Sequence, residues 1–544
     1  MVSSTTELIT YCFPSAKLPT ESLLTIFSYL DHKNLFSCLL VNRQWCRIIT
    51  PILWSHPTVP YNDRKLANLI EILIFELNDD EKEAINSFQI PSSIHSTLLF
   101  EYTKYISLIN GNDLHKGIKY WLEIRNFGKP TLNLINNIKW VLIKMILRKS
   151  KVLIHLNYDG IDAKAMRGFV EILNQTTTTF FLTSLNLESS HLNSEAVKPL
   201  AVALYANNTL KFLNLKKNDI CCKGGVALAE TIRQNKSLTS LNVESNQIGT
   251  EGGEALMDAL FRSNMTVLNL STNSIRFGDS KVEPALNNNY LTSLDLSSNG
   301  IDHNEGSIIG RVLRKHKFLT YLNLENNHLG PKGGKSLIEA LIFNKTLKYL
   351  NLQNNTISIN DNSLLENSIK NSNLTYLNLG INQLTAKNGR AIAKVLQKNT
   401  SITSIDLFSN QIGTEGGKEI ARALCVNTTL TSLDLYNNKI GANSAQDFGV
   451  ALKTNYTLKS LNLSFNKING GNELADGVAN NSSLINFNFS SNNIGSEGGR
   501  AFVNALKINK TLMFFDLSDN NIDIEVKRAL TDVRNTNTKI NLIF

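Results

Sequence analysis

One motif recurs a dozen times in this chain, and no compact globular arrangement accommodates such a pattern. Variants of LTSLNVESNQIGTEGGEALMDALFRSN, Leu238 to Asn264, run from about residue 180 to the C-terminus. The frame LxxLxLxxN places Asn218, Asn246, Asn273, Asn299, Asn327, Asn355, Asn382, Asn410, Asn438, Asn466, Asn492 and Asn520 at steps of 26 to 28 residues. Self-similarity at that period signals an array of stacked supersecondary units. An earlier copy from Leu182 carries Ser190 in the Asn slot, and a degenerate one from Leu153 starts the array.

Each part of the frame has a physical role. Leu241 and Val243 alternate with Ser240, Asn242 and Glu244, the period-two pattern of a strand. At Asn246 the chain must turn, and a side-chain amide there can satisfy backbone groups of its own and neighbouring coils. Ile248 plugs the turn. Glu251-Gly252-Gly253 is then expected to open a helix, with Ala255-Leu256 and Ala259-Leu260 four apart on its inner face. One strand and one helix cannot bury their apolar faces alone, so the units must stack with a parallel sheet inside. The frame resembles the ribonuclease-inhibitor class of leucine-rich repeats. The resemblance implies an α/β solenoid, a horseshoe with an inner parallel sheet and outer helices. It implies nothing specific about activity, because one fold serves many functions.

The 544 residues are 42% hydrophobic and 19% charged, which suits an ordered solenoid. No apolar run reaches membrane-spanning length; Trp140 to Leu147 is interrupted by Lys144. The first residues lack a basic start followed by an apolar core, so a secretory signal is not expected. Cys12, Cys38, Cys46, Cys221, Cys222 and Cys425 show no metal spacing and read as reduced thiols, which places the chain in the cytosol or the nucleus. The net charge of +9 is diffuse: residues 1–150 hold 16 Lys+Arg against 13 Asp+Glu, a surplus of 3 that leaves 6 for the repeats. A nucleic-acid binder would concentrate such charge on one face.

Ahead of the array lies LPTESLLTIFSYLDHKNLFSCLLVNRQWCRIITPILW, Leu18 to Trp54. Leu23, Ile26, Phe27 and Leu30 fall on one helical face. Asp31 or Asn34 can cap a second helix with Leu35, Cys38, Leu39 and Val41 inward. Trp45, Ile48 and Ile49 continue into a third helix that Pro51 is expected to end. Three short helices make a very small core, and their apolar excess suits docking on a partner.

With its Leu18-Pro19 start, Tyr29-Leu30-Asp31 break and Val41…Trp45 close, this stretch resembles an F-box. The resemblance implies a Skp-type adaptor as partner and, through it, a cullin–RING ubiquitin ligase. It assigns Leu18, Pro19, Leu23, Ile26, Phe27, Leu30, Leu35, Leu39, Val41 and Trp45 to that docking without separating contact residues from local core. The chain then divides into a tail 1–15, an F-box 16–56, a helical linker and N-terminal cap 57–150, and 13–14 repeats over 151–544. Asp63 to Leu77, Glu101 to Ile124 and Asn133 to Leu147 read as linker helices, with Pro91 and Pro130 as breaks. The layout is similar to that of fungal F-box proteins with leucine-rich repeats.

Chemistry-bearing motifs are few. Gly334-Lys335-Ser336 imitates a phosphate loop, but Leu329 stands where its first Gly is required. Sequons such as Asn235-Lys236-Ser237, Asn344-Lys345-Thr346 and Asn427-Thr428-Thr429 fall at one point of the frame and are repeat grammar. No catalytic constellation, metal ligand set or cofactor motif stands out, so no enzyme activity is expected. The informative positions are the outward slots of the sheet. Tyr321, Tyr349 and Tyr376 share one slot in successive repeats, and Ile381, Phe408, Tyr436 and Phe465 fill neighbouring ones. They are expected to form a continuous aromatic surface on the concave face that binds a target protein, or else a ladder that only stabilises the sheet.

Together these features read as the substrate-recognition subunit of a Skp–cullin–F-box ubiquitin ligase. The rivals are a Ran-type GTPase activator, against which stands the C-terminal RNTNTKINLIF where such proteins carry acid, and a protein-binding scaffold outside any ligase.

Overall fold

Three residues per coil make the sheet. In the computed structural model, which describes residues 18–58, 62–86, 98–125, 127, 129–174, 182–277, 283–284 and 286–544, strand Ser240–Asn242 pairs in parallel with Val267–Asn269, and that one with Ser293–Asp295. Leu241 and Val243 are buried between half-exposed neighbours, as the alternation requires. The strand stops because Ser245 (φ 58°) and Gln247 (φ 56°) flank Asn246 in the left-handed region.

The buried asparagines tie coil to coil. Asn466 Nδ2 donates to Leu463 O (2.9 Å) and Ser464 O (3.2 Å) of its own coil and to Leu435 O (2.9 Å) of the one before. Its Oδ1 accepts from the N–H groups of Asn438 (2.9 Å) and Ile440 (3.0 Å). Ser190, in the same slot, accepts from Gly160 N (3.0 Å) and Ile161 N (3.3 Å) and donates to Glu188 O (3.3 Å). A second buried series lies at the other end of many of the strands: Asn235 Nδ2 donates to Leu204 O (2.6 Å) while its Oδ1 accepts from Leu238 N (2.6 Å). These are the sequon asparagines, and Asn235, Asn344 and Asn427 are all buried.

The helices differ from expectation at their start. In the coil of Asn246 the helix begins at Gly249, which takes a φ of 64°, three residues before the Gly252-Gly253 pair. A Cβ on Gly252 would stand 3.1 Å from Cys222 O of the preceding helix, and one on Gly253 2.5 Å from Ile275 Cγ2 of the next coil. The pair is a close-packing device rather than a helix opener. Helices repeat every 8–10 Å or so and strands every 4.8 Å or so, which puts the sheet on the inner side of the repeat unit's curve.

The chain forms two compact units: residues up to Leu192 with Ala206–Leu215, and Asn193–Tyr205 with Lys216–Phe544. The second contains twelve of the parallel strands, from Ser240–Asn242 to Asn541–Ile543, in sequence order. The first holds α1 (Thr20–Ser28), α2 (His32–Leu39), α3 (Arg43–Ser55), α4 (Asp63–Phe75), α5 (Asp79–Asn86), β1 (Leu108–Asn110), α6 (Gly111–Ile124), α7 (Leu132–Lys149), β2 (His155–Asn157), α8 (Ala163–Asn174), β3 (Ser184–Asn186) and β4 (Phe212–Asn214). Asp31 caps α2 by accepting from Asn34 N at 2.8 Å, and Asn42 caps α3 through Trp45 N at 2.8 Å.

Three expectations for this unit change. Pro51 lies inside α3 rather than ending it; its missing N–H removes one helical bond while its φ still fits the helix. Glu101 to Ile124 is not one helix: a 3-10 turn at Tyr102–Tyr105 and strand β1 precede α6. The sheet therefore begins inside the stretch expected to be wholly helical, with Leu108 in register with His155. Trp140 of α7 stacks with Tyr158 at 6.4 Å, so the helix covers the first coil as well. Trp54 stacks on Tyr102 at 4.4 Å, and Arg148 grips Glu81 through two bonds of 2.8 and 3.1 Å. The tail 1–15, Cys12 and the Pro91 break lie outside the described residues.

Candidate functional site

The three-helix module separates its apolar residues into two sets. Leu23, Phe27, Leu35, Ile49 and Leu53 form its core, with Leu30, Leu39, Trp45 and Ile48 packed around them. Phe27 meets the Trp45 ring edge to face at 5.0 Å. Of the residues assigned to adaptor docking, Leu23, Phe27, Leu30, Leu35, Leu39 and Trp45 thus hold the helices together. Leu18, Pro19, Ile26 and Val41 are exposed, so Val41 does not face inward as expected. The larger part of the exposed surface comes from side chains outside the assigned set: Tyr29 (86% exposed), Leu40 (75%), Phe36 (62%) and Leu24. Periodicity alone misses them, because it credits apolar residues to a core. The signal available was an apolar count too high for one small core.

The second surface is the strand face of the repeats. Register aligns Tyr349 with Tyr321 on one side and Tyr376 on the other. Their rings stack at centroid distances of 4.3 and 4.4 Å, 13° and 6° from parallel. The stack ends on a carboxylate, since Tyr376 Oη donates to Asp406 Oδ2 at 2.6 Å. Burial pushes all three hydroxyls up, with the Asp406 charge adding at Tyr376.

The remaining aromatics do not extend this stack. Tyr436 and Phe465 meet edge to face at 5.1 Å, and Phe408 lies over Gly380, where a Cβ would strike its ring. Among the described residues no ring contact joins Tyr376 to Phe408. The reason is register: Tyr376 is level with Ser404, and Phe408 follows four residues later, roughly 13 Å along the chain. The expected continuous surface is instead two aromatic groups at opposite ends of the strands. Ile381 and Phe465 stand exposed in the left-handed slot, with φ of 50° and 53°. A β-branched residue there is strained, and strain of this kind collects at functional positions.

Between the two groups run the middle-slot side chains. Asp406 and Asp434 are pushed up from the usual carboxylate range by burial, partly offset at Asp406 by Tyr376 and at Asp434 by Tyr436 N–H and Asn462. In the first unit a cleft of about 850 Å³ is lined by His115, Lys139, Asp159, Glu188 and His191 among others. Lys139 is buried there, donates to Asp159 O at 2.9 Å, and has its pKa pushed down to about 8 by burial. No sequence pattern marked this cleft. Among the described residues no group of three or more His, Cys, Asp or Glu is placed to hold a metal ion.

Comparison with known proteins agrees with this arrangement. Residues 15–60 match the F-box-like family model. Ten segments match the Leucine Rich repeat model: 206–229, 234–257, 287–303, 315–337, 343–358, 370–393, 398–421, 426–449, 454–471 and 480–503. No curated protein matches. Among solved structures, an internalin (inlF) from Listeria monocytogenes str. 4b F2365 is 18% identical, covering 70% of this chain and 93% of its own, with a TM-score of 0.43.

Proposed function

We propose that this chain, which joins an F-box-like domain to an array of leucine-rich repeats and so serves protein–protein interaction, is the substrate-recognition subunit of a Skp–cullin–F-box ubiquitin ligase. The observation that carries the reading is the division within the three-helix module. A five-residue core is sealed, while Tyr29, Phe36, Leu40 and their neighbours remain in water. Several exposed apolar side chains of that size on one small module mark a docking surface. A Skp-type adaptor on that surface would link the chain to a cullin–RING ligase, and the strand face would hold the target protein. The chain does no chemistry in this account. It raises the local concentration of the target's lysines near the ubiquitin donor. The reading places it in the cytosol or nucleus, where Cys38, Cys46, Cys221, Cys222 and Cys425 stay free thiols.

Mixing the full-length protein with a recombinant Skp-type adaptor and a cullin–RING pair should give one complex on size-exclusion chromatography. Elution of the protein apart from the adaptor at micromolar concentration would reject the ligase reading.

A further inference from the structure

The strand face between the two aromatic groups has a one-sided charge. From Ser293–Asp295 to Ser460–Asn462, the slots at the first and third strand positions and the two after the next inward residue hold Asp295, Glu325, Asp406 and Asp434. None of those slots holds Lys or Arg; Lys348 and Lys459 stand just before Tyr349 and Ser460, and Lys348 has its Nζ turned to Asn373 O at 3.2 Å. None of the four acids has a basic partner within ion-pair distance among the described residues. Asp295 and Asp434 spend both oxygens within the protein: Asp295 on Ser297 and Asn323, Asp434 on Tyr436 N (2.8 Å) and Asn462 Nδ2 (3.1 Å). Glu325 uses only Oε2, which accepts from Asn351 Nδ2 at 2.9 Å, and Asp406 only Oδ2, which accepts from Tyr376 Oη; among the described residues Asp406 Oδ1 has no partner. The free oxygen thus lies between the Tyr321–Tyr349–Tyr376 stack at one end of the strands and Phe408, Tyr436 and Phe465 at the other.

A partly desolvated carboxylate with one oxygen on Tyr376 and aromatic side chains toward both ends of the strands calls for a cation that is planar and weakly hydrated. A guanidinium can pair with the carboxylate and lie against rings at once, which an ammonium does less well. We propose that the strand face takes an extended, arginine-bearing segment of a partner protein, with an arginine paired to Asp406 and flanked by the two aromatic groups. This rests on the reading of the strand face as the target-binding surface and names the chemistry of the target. Asn occupies the slot of Asp406 in the coils of Asn378 and Asn462, so Asp406→Asn is a residue the frame already carries.

The test uses the full-length protein and three fluorescein-labelled dodecapeptides, four repeats each of Gly-Ser-Arg, Gly-Ser-Lys or Gly-Ser-Glu, read by anisotropy. The arginine peptide should bind most tightly, weaken with added salt, and lose roughly tenfold in affinity on Asp406→Asn. Equal binding of the arginine and glutamate peptides, no binding of either, or an unchanged affinity in the variant would overturn the proposal. A photo-crosslinking residue in place of Phe465 separates this from failure of the wider reading. Cross-links to basic segments of a bound protein support the proposal. Cross-links to acidic or apolar segments leave target binding standing and remove the cation. No protein cross-link at all, in a variant that still binds the adaptor, removes the target-binding surface itself.

Discussion

Single side chains in this protein divide between holding the coil and leaving it exposed to a partner. Asn466 makes five hydrogen bonds across two coils, and no other side chain of its size supplies both an acceptor and a shared donor at that depth. Ile381 does the reverse. It occupies a left-handed slot that Asn326, Asn354 and Asn437 fill in other coils, and the strain it stores has no structural return. Ile381→Asn should therefore raise stability by about 1 kcal/mol in urea denaturation while weakening partner binding. Asp406 and Asp434 carry a related conflict. Their folded-state pKa values lie above the ordinary Asp range. The folded chain thus holds these protons more tightly than the unfolded one, and their contribution is favourable at low pH and lost as pH rises through the raised values. The double variant Asp406→Asn/Asp434→Asn should melt about a degree or two higher than wild type at pH 7–8, with the gain shrinking toward pH 4, as scanning fluorimetry would record.

At the scale of elements, stacking depends on how closely consecutive coils approach. Gly253 sits where a methyl group would come within 2.5 Å of Ile275 Cγ2. Gly253→Ala should cost roughly 1–3 kcal/mol through overpacking, with hydrogen exchange rising first in its own helix, Gly249–Leu260, and in the strand Val267–Asn269 ahead of Ile275. Elements were unequally legible in the sequence. Strand positions followed from the Leu alternation, because a period of two leaves no other face for Leu241 and Val243. The helix start was misplaced because the Gly252-Gly253 pair resembles a terminus locally, while its cause is a contact one coil away, 22 or more residues distant in sequence. Strand β1 was hidden for the same reason. Leu108–Asn110 has no repeat frame of its own and becomes a strand by pairing with His155–Asn157.

At the scale of the whole molecule, the chain carries a small helical module with an exposed apolar surface and a long repeat array with an aromatic, acidic strand face. That combination was legible in order and kind, since the Leu18-Pro19 start and the asparagine series are local patterns. Which F-box residues face water was not. Leu23 and Leu24, or Leu35 and Phe36, differ in burial only through how three helices meet. The account stands or falls on whether the water-facing set is a docking surface. The most direct measurement is isothermal titration of a recombinant Skp-type adaptor into the full-length protein, wild type beside Phe36→Ser/Leu40→Ser. The account predicts one-to-one binding by the wild type, and at least about a tenfold loss in a variant that melts as the wild type does. No binding by the wild type, or equal binding by the variant, would contradict it.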